Sequence, residues 1–530
     1  LEKAYVYVHL NFDTDTTNAT YQAYNERIMA LYGKVISSFS FYSVELMAAD
    51  ETLIKSYLSE FPPLQIYAHD FEKLFKHRAH ILSQPEEKIL AEASTVLESS
   101  ENTFGLLNNA DLVFKDITGE DGEPIQVTHG RYGLLIENRN RSIREAAFQS
   151  VYQTYMGLKN TFASTLGGNI KKDNFNARVR HYESARQAAL SNNDIPESVY
   201  DSLIDAVHQK LGLLHRYTAL RKHILNLEEL HMYDLYTPLV ENVDLHYTFE
   251  EAKALTLKAL APLGEEYVGI LKQAFESRWI DVYENVGKRS GAYSSGTYST
   301  NPYILLNWQD NLDNVYTLVH ELGHSLHSYY TRKNQPYVYG NYSIFVAEIA
   351  STTNENLLTD YLLKHEHDPK VRAYILNHYL DGVKGTIFRQ TQFAEFEHLI
   401  HVSEQEGIAL TADYLTTQYF ELNKAYYGDA LTYDEEIGYE WSRIPHFYYN
   451  YYVYQYATGF SAASALAHKI LTEGEAAVDG YLNYLKSGCS DYPIDVIKRA
   501  GVDMTTNQPV LDTMAVFEER LNELEELLLK

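Results

Sequence analysis

His320, Glu321 and His324 stand together in "VHELGHSLHSYY", residues 319–330. Two imidazoles four residues apart share one face of a helix, with Cβ atoms about 5–6 Å apart. Both can therefore turn a ring nitrogen toward one ion. The glutamate between them is rotated by about 100°, so it can reach a metal-held water without being a ligand itself. This is the H-E-x-x-H pattern, with two zinc ligands and the general base of a peptide hydrolase. About 0.07 such matches are expected by chance in a chain of this composition, so the bare pattern is suggestive only. The competing reading is a helix carrying satisfied surface histidines. Context favours a metal: no proline interrupts the segment, and Gly323 lets another element approach closely.

Zinc held by two histidines needs a third protein ligand, leaving the fourth position for water. His327 is seven residues from His320, about 10 Å along a helix axis, too far to share one ion with it. The segment "NYSIFVAEIASTTNENLLTDYLLKH" offers two carboxylates, Glu348 in its first half and Glu355 two turns later. Glu348 is the first choice as third ligand and Glu355 the alternative. Glu355 otherwise suits the task of orienting a ligand histidine through its second ring nitrogen. The single cysteine, Cys489, excludes thiolate zinc clusters and sits in a loop-like context read as inert. Two histidines and one carboxylate make one Zn²⁺ the default ion.

Peptide hydrolysis also needs hydrogen-bond donors for the oxyanion that forms at the attacked carbonyl. Six of the 46 tyrosines fall between 448 and 456, in "WSRIPHFYYNYYVYQYATGFSAASALA". As a helix this run gives two stripes, Tyr448/Tyr451/Tyr454 and Tyr449/Tyr452/Tyr456. Aromatic packing accounts for most such rings. A Gly/Ser-rich stretch from 290 leads into a short apolar strand, Tyr303 to Leu306, just ahead of the His320 helix. Tyr303, Ile304 and Leu305 could hold an extended peptide by main-chain pairing. The His/carboxylate groups at 364–368 and 395–401 read as solvated faces or ion pairs. Arg389 could pair with a buried carboxylate.

These residues need particular elements to place them. A metal helix is expected over about 311–333, capped by Asp310, Asn311 or Asp313, with Val315, Leu318, Leu322 and Leu326 as its apolar side. A second ligand helix is expected over about 343–365 with Ser343 as its cap, and the tyrosine-rich segment spans 446–460. Most of the remaining sequence also shows helical periodicity, as over 85–100, 142–166 and 198–225. The tail from 514 is an amphipathic helix with Phe517, Leu521, Leu524 and Leu528 on one side. Residues 112–137 alternate around a Gly/Asp/Pro turn and read as a hairpin. That break suggests an N-terminal helical lobe over 1–111 and a catalytic region over 112–530. The fold class is mainly α.

Net charge is −28, from 72 acidic against 44 basic residues. Such a surface repels phosphate backbones and argues against nucleic-acid binding. No apolar run reaches the ~18 residues of a membrane span, and the N-terminus lacks the layout of a secretory signal. One cysteine suits a reducing compartment, which points to the cytoplasm. The chain does not begin with Met, so trimming at the front is expected. Oligomeric state is not written in the sequence.

"HELGHSLHSYY" followed by "FVAEIASTTNE" resembles the oligoendopeptidase F branch of the thimet oligopeptidase family. "GAYSSGTYSTNPYILLNW", "HYESARQAALSNNDIPESVYDSLI" and "HMYDLYTPL" are similar to that branch too, and the resemblance runs from about residue 40 to 515. It implies His320, His324 and Glu348 as metal ligands and Glu321 as base. It also implies His446, Tyr451 and Tyr454 as oxyanion donors, with Tyr448, Tyr452 and Tyr456 as further candidates. The implied fold is two helical lobes around a deep substrate channel, with a zincin-type catalytic domain and a small β element. The implied activity is endopeptidase cleavage of short unfolded peptides inside the cell. A carboxypeptidase or dipeptidyl carboxypeptidase is the nearest alternative, and a non-catalytic peptide-binding protein the next. Members of this branch carry a further helical stretch ahead of the point where this chain begins.

Overall fold

The computed structural model describes residues 1–240, 243 and 245–529. It is mainly helical, as expected, with a few short strands. The chain forms two compact units, each made of three segments. The first comprises Leu1–Ala79, Asp244–His365 and Ala462–Met504; the second comprises His80–Val243, Glu366–Ser461 and Thr505–Lys530. These boundaries differ from a division at residue 111.

The first unit holds a three-stranded sheet of β1 (Ile280–Asp281), β2 (Tyr293–Ser295) and β3 (Tyr303–Leu305). Its order is β1-β3-β2, parallel between β1 and β3 and antiparallel between β3 and β2. Helix α1 (Leu312–Asn334) follows, then α2 (Ile344–His365) and, later in the chain, α3 (Glu475–Ser487). Asn311 is the cap that starts α1: its side chain accepts from Asn314 N at 2.9 Å. Ser343 begins α2 in the same way, accepting from Phe345 N at 3.3 Å. Both helices match their expected spans to within a residue, because polar caps bound a long apolar-periodic run. Val315, Leu318, Leu322 and Leu326 are wholly buried.

α1 and α2 pack closely along their length. Their approach depends on Gly323: a Cβ there would stand 2.5 Å from Ser351 Cα and 2.7 Å from Ala350 O. Two further bonds lock the pair, Asn354 Nδ2 to Val319 O at 2.9 Å and Tyr316 hydroxyl to Thr359 Oγ1 at 2.9 Å. α3 supports α2 from behind, where the Tyr484 hydroxyl donates to Val346 O at 2.8 Å.

The second unit is built on long helices, among them Arg141–Gly157, Lys159–Val179, Glu197–Ile224 and Arg389–Gln405. The tail helix, Gln508–Leu528, packs here as its pattern suggested; Phe517, Leu521 and Leu524 are fully buried, and Phe517 meets the rings of Tyr217 and Phe388. The hairpin expected over 112–137 is shorter. Only Ile117–Thr118 and Pro124–Ile125 pair, and residues His129–Ile136 form a helix because Thr128 caps Arg131 N. The tyrosine run also departs from expectation. Pro445–Tyr448 is a 3₁₀ turn, Asn450 and Tyr451 have φ of 46° and 57°, and the α-helix begins only at Tyr454. The two helical stripes of tyrosines therefore do not form.

Replacing Gly323 by Ala tests the helix packing. Helix propensity alone favours Ala by about 0.8–1 kcal/mol, whereas forcing a methyl against fixed backbone costs about 1–3 kcal/mol. A net loss of stability in denaturant titration is expected, and a gain would show that the helices can part without cost.

Candidate metal centre

α1 turns His320 and His324 to one side, and the close approach at Gly323 brings Glu348 of α2 over them. His320 Nε2 and His324 Nε2 are 3.2 Å apart, and Glu348 Oε2 is 3.4 Å from the first and 3.3 Å from the second. Tetrahedral zinc with bonds near 2.0–2.1 Å requires ligand atoms about 3.3 Å apart. The three atoms thus outline one face of a zinc-sized tetrahedron. Among the described residues they form the single grouping of three His, Cys, Asp or Glu side chains able to hold one ion.

Neighbouring groups set the orientation of two of the three candidate ligands. Glu355 Oε1 lies 2.6 Å from His320 Nδ1, which places the proton on Nδ1 and leaves Nε2 to bind. Ser351 Oγ donates to Glu348 Oε2 at 3.0 Å and fixes that carboxylate's rotation. Burial alone would make His320 a weaker base, but the Glu355 hydrogen bond and the three surrounding carboxylates outweigh it and hold its pKa at about 9. Burial pushes the Glu348 carboxyl up, while the His324 hydrogen bond and both imidazoles bring it down to about 2. Two imidazoles facing Glu321, Glu348 and Glu355 make a pocket whose field favours a cation.

Glu321 is on the same helix but rotated toward the sheet, and it is 7% exposed. Burial raises its pKa, opposed by His320 and His324, and the Ser294 main chain hydrogen-bonds it. Ser294 lies in β2. Ile304 N and Leu306 N donate to Trp279 O and Asp281 O, on the β1 side. Across the sheet Ile304 faces Ser294, so the main-chain groups of Ser294 point to the outer edge of β2. Asp13 steadies this strand through the Tyr293 hydroxyl at 2.8 Å, and the Ser294 and Ser325 hydroxyls lie 2.7 Å apart.

One expectation needs correction here. Tyr303–Leu305 does form a strand, but β3 is the middle one. Its main chain is paired on both sides, and Ile304 and Leu305 are 2% exposed. It cannot accept a further strand; β2 has the outer edge. Glu355, expected either to orient a ligand histidine or to be the third ligand, hydrogen-bonds His320 Nδ1. His327 is turned away from the ligand triangle and stacks on Tyr342, with ring centroids 3.6 Å apart.

The remaining expected site residues belong to the second unit. Tyr451 is 3% exposed, its hydroxyl lies 3.1 Å from His398 Nδ1, and burial raises its pKa well above the ordinary phenol value. Tyr454 is 2% exposed and packs on Tyr200. Among the histidine and tyrosines of the segment, His446, Tyr452 and Tyr456 are half-exposed and Tyr449 is exposed. Tyr452 stacks over the His446 ring at 6.1 Å, and the Tyr456 hydroxyl lies 3.4 Å from His446 Nε2. Arg389 does pair with a buried carboxylate, Glu440, at 2.6 Å. Sequence reasoning missed β2 and the Ser294 hydrogen bond, because "GAYSSG" reads as loop and three residues are too few for an alternation to register.

The chain matches the family model for peptidase family M3 over residues 134–516 and that for oligopeptidase F over 45–114. It is 58% identical to oligopeptidase PepF of Bacillus subtilis (strain 168), covering all of this chain and 79% of that protein. It is 55% identical to the group B oligopeptidase PepB of Streptococcus agalactiae, again over the whole chain and 88% of the relative. The solved structure of oligoendopeptidase-F from Enterococcus faecium superimposes with a TM-score of 0.79 at 51% identity, covering 99% of this chain and 90% of that one.

The Glu355–His320 bond generates a measurable consequence. Glu355→Gln keeps size and fold but weakens the orientation of His320, and loss of such a partner lowers metal affinity by roughly 10- to 100-fold. Competition of the variant against a chelator for Zn²⁺ checks this; unchanged affinity would remove Glu355 from the site.

Proposed function

Since the chain belongs to peptidase family M3, and to its oligoendopeptidase F group, we propose that it is a zinc-dependent endopeptidase acting on internal bonds of short unfolded peptides. Metalloendopeptidase activity follows from family membership. The observation that carries the zinc assignment is the triangle of His320, His324 and Glu348, with edges of 3.2–3.4 Å. When bound, zinc supplies Lewis acidity toward a water and toward the scissile carbonyl.

The chain's own residues do the rest. Glu321 accepts the proton of the attacking water and delivers it to the leaving amine. Its burial raises its basicity, and the Ser294 hydrogen bond aims its carboxylate. Donors to the oxyanion come from the tyrosine-rich segment. His446 keeps that role. Tyr451 and Tyr454 suit it less, being buried with rings packed in the core of their unit, and Tyr452 and Tyr456 beside His446 suit it better. The outer edge of β2, rather than β3, is the edge at which an extended peptide could pair, through the Ser294 carbonyl beside the N–H committed to Glu321. No helix among the described residues is long and apolar enough to cross a membrane. The single cysteine supports a cytoplasmic setting.

Mass spectrometry of products from mixed oligopeptides and a folded protein tests the reading, with chelator and with chelator followed by Zn²⁺. Internal cuts in peptides alone, lost and then restored, are expected; cuts indifferent to chelator would defeat it. Glu321→Gln should bind Zn²⁺ with wild-type affinity yet lose roughly 10²–10⁴-fold in kcat. Retention of activity in that variant would place the base elsewhere.

A further inference from the structure

The turn ahead of Tyr452 is held from a neighbouring helix. Glu397, on Arg389–Gln405, is fully buried, and its Oε1 accepts the main-chain N–H of Tyr451 at 2.6 Å. Tyr451 and Asn450 are two consecutive non-glycine residues in the left-handed region, at φ of 57° and 46°. L-residues with large side chains rarely adopt that conformation unless their surroundings enforce it. Tyr451 is enforced at three points: its N–H by Glu397, its hydroxyl by His398, and its ring by His401 at 4.6 Å.

This turn sets where the next side chains go. Tyr452 follows directly, and its ring lies over His446 at 6.1 Å with 13° between planes. Tyr456 meets Tyr452 edge-on at 5.4 Å and His446 at 5.9 Å. A relaxed backbone at 450–451 would rotate Tyr452 off the imidazole. We infer that Glu397 is a positioning residue for the His446/Tyr452/Tyr456 cluster, acting through the left-handed Asn450–Tyr451 turn and touching no substrate. The inference rests on the reading above that this cluster donates to the oxyanion.

Reach and acidity make different demands, and substitution separates them. Glu397→Gln keeps a carbonyl oxygen at the same reach without an ionisable group. Glu397→Asp keeps the carboxyl but withdraws the acceptor by one methylene. The variants are loaded with Zn²⁺, their metal content measured, and kcat and KM taken on an internally quenched fluorogenic peptide. The expected order of kcat is wild type, then Gln, then Asp, with Asp lower by roughly 10- to 100-fold, the size of effect that a misplacement near 1 Å produces. KM and metal content should stay within about twofold. Introducing Glu397→Asp into a Tyr452→Phe background should cost much less than in wild type, since both act on one element. Asp equal to or better than Gln, or an undiminished cost in the Tyr452→Phe background, overturns the inference. An inactive wild type would instead defeat the peptidase reading. Full activity of Tyr452→Phe would remove Tyr452 from the oxyanion cluster and overturn the inference with it.

Discussion

Everything at the metal centre depends on how closely two helices approach at Gly323. H-E-x-x-H by itself supplies two ligands and a base on one helix, and no length of that helix can supply the third ligand on the same face within reach. The third must come from a second helix, and its distance is set by backbone. With no side chain at 323, the main chain of residues 350–351 comes up against α1, and Glu348, one turn earlier, reaches 3.3–3.4 Å from both imidazoles. A methyl group there would press on that main chain and force the helices apart by more than the roughly 0.2 Å that a metal–ligand distance tolerates. Asn354 then secures the same approach from the other side, capping the Val319 carbonyl from within the interface.

The electrostatics follow from that packing. Where imidazoles and carboxylates face each other in a half-buried site, each favours the charged form of the other. The structure shows this as a histidine held at about 9 and a carboxylate held at about 2. The carboxylates are not interchangeable, however. Glu348 is tied to Ser351 and faces both rings, Glu355 is committed to His320 Nδ1, and Glu321 is buried against β2. Burial distinguishes the last one: it is the acid whose proton affinity is raised, which suits a group that must take a proton and give it back.

Much of this was legible in the sequence, and the reasons are particular. The two ligand helices were found within a residue of their ends because polar caps bracket long apolar periodicity. Glu348 was the first choice as ligand, and it stands at the triangle. β3 was recognised as a strand but its place in the sheet was not, since a strand's neighbours are fixed by pairing over distance. Ile280–Asp281 and Tyr293–Ser295 contribute two and three residues each, too few for alternation to register. The helix at His129–Ile136 was lost to a hairpin reading that ran past its own turn. The division into two units was likewise hidden, because each unit gathers three separated segments.

The tyrosine segment shows where periodicity misleads. Six tyrosines in nine residues look like aromatic stripes only if the backbone is regular, and here it is not. Between Tyr448 and Tyr454 the chain leaves helical geometry, passes through two left-handed residues and re-enters a helix. The rings are nevertheless sorted as the two stripes would sort them. Tyr448, Tyr451 and Tyr454 turn into the core, while Tyr449 and Tyr452 stay at least partly open. What the irregular backbone adds is a single histidine, His446, that both Tyr452 and Tyr456 meet. Local strain of this kind persists only where the surroundings over-determine it, and the buried carboxyl group of Glu397 on the turn's N–H is the most direct such determinant. The same economy governs the metal helices, where one missing side chain, rather than an added one, decides the geometry of the site.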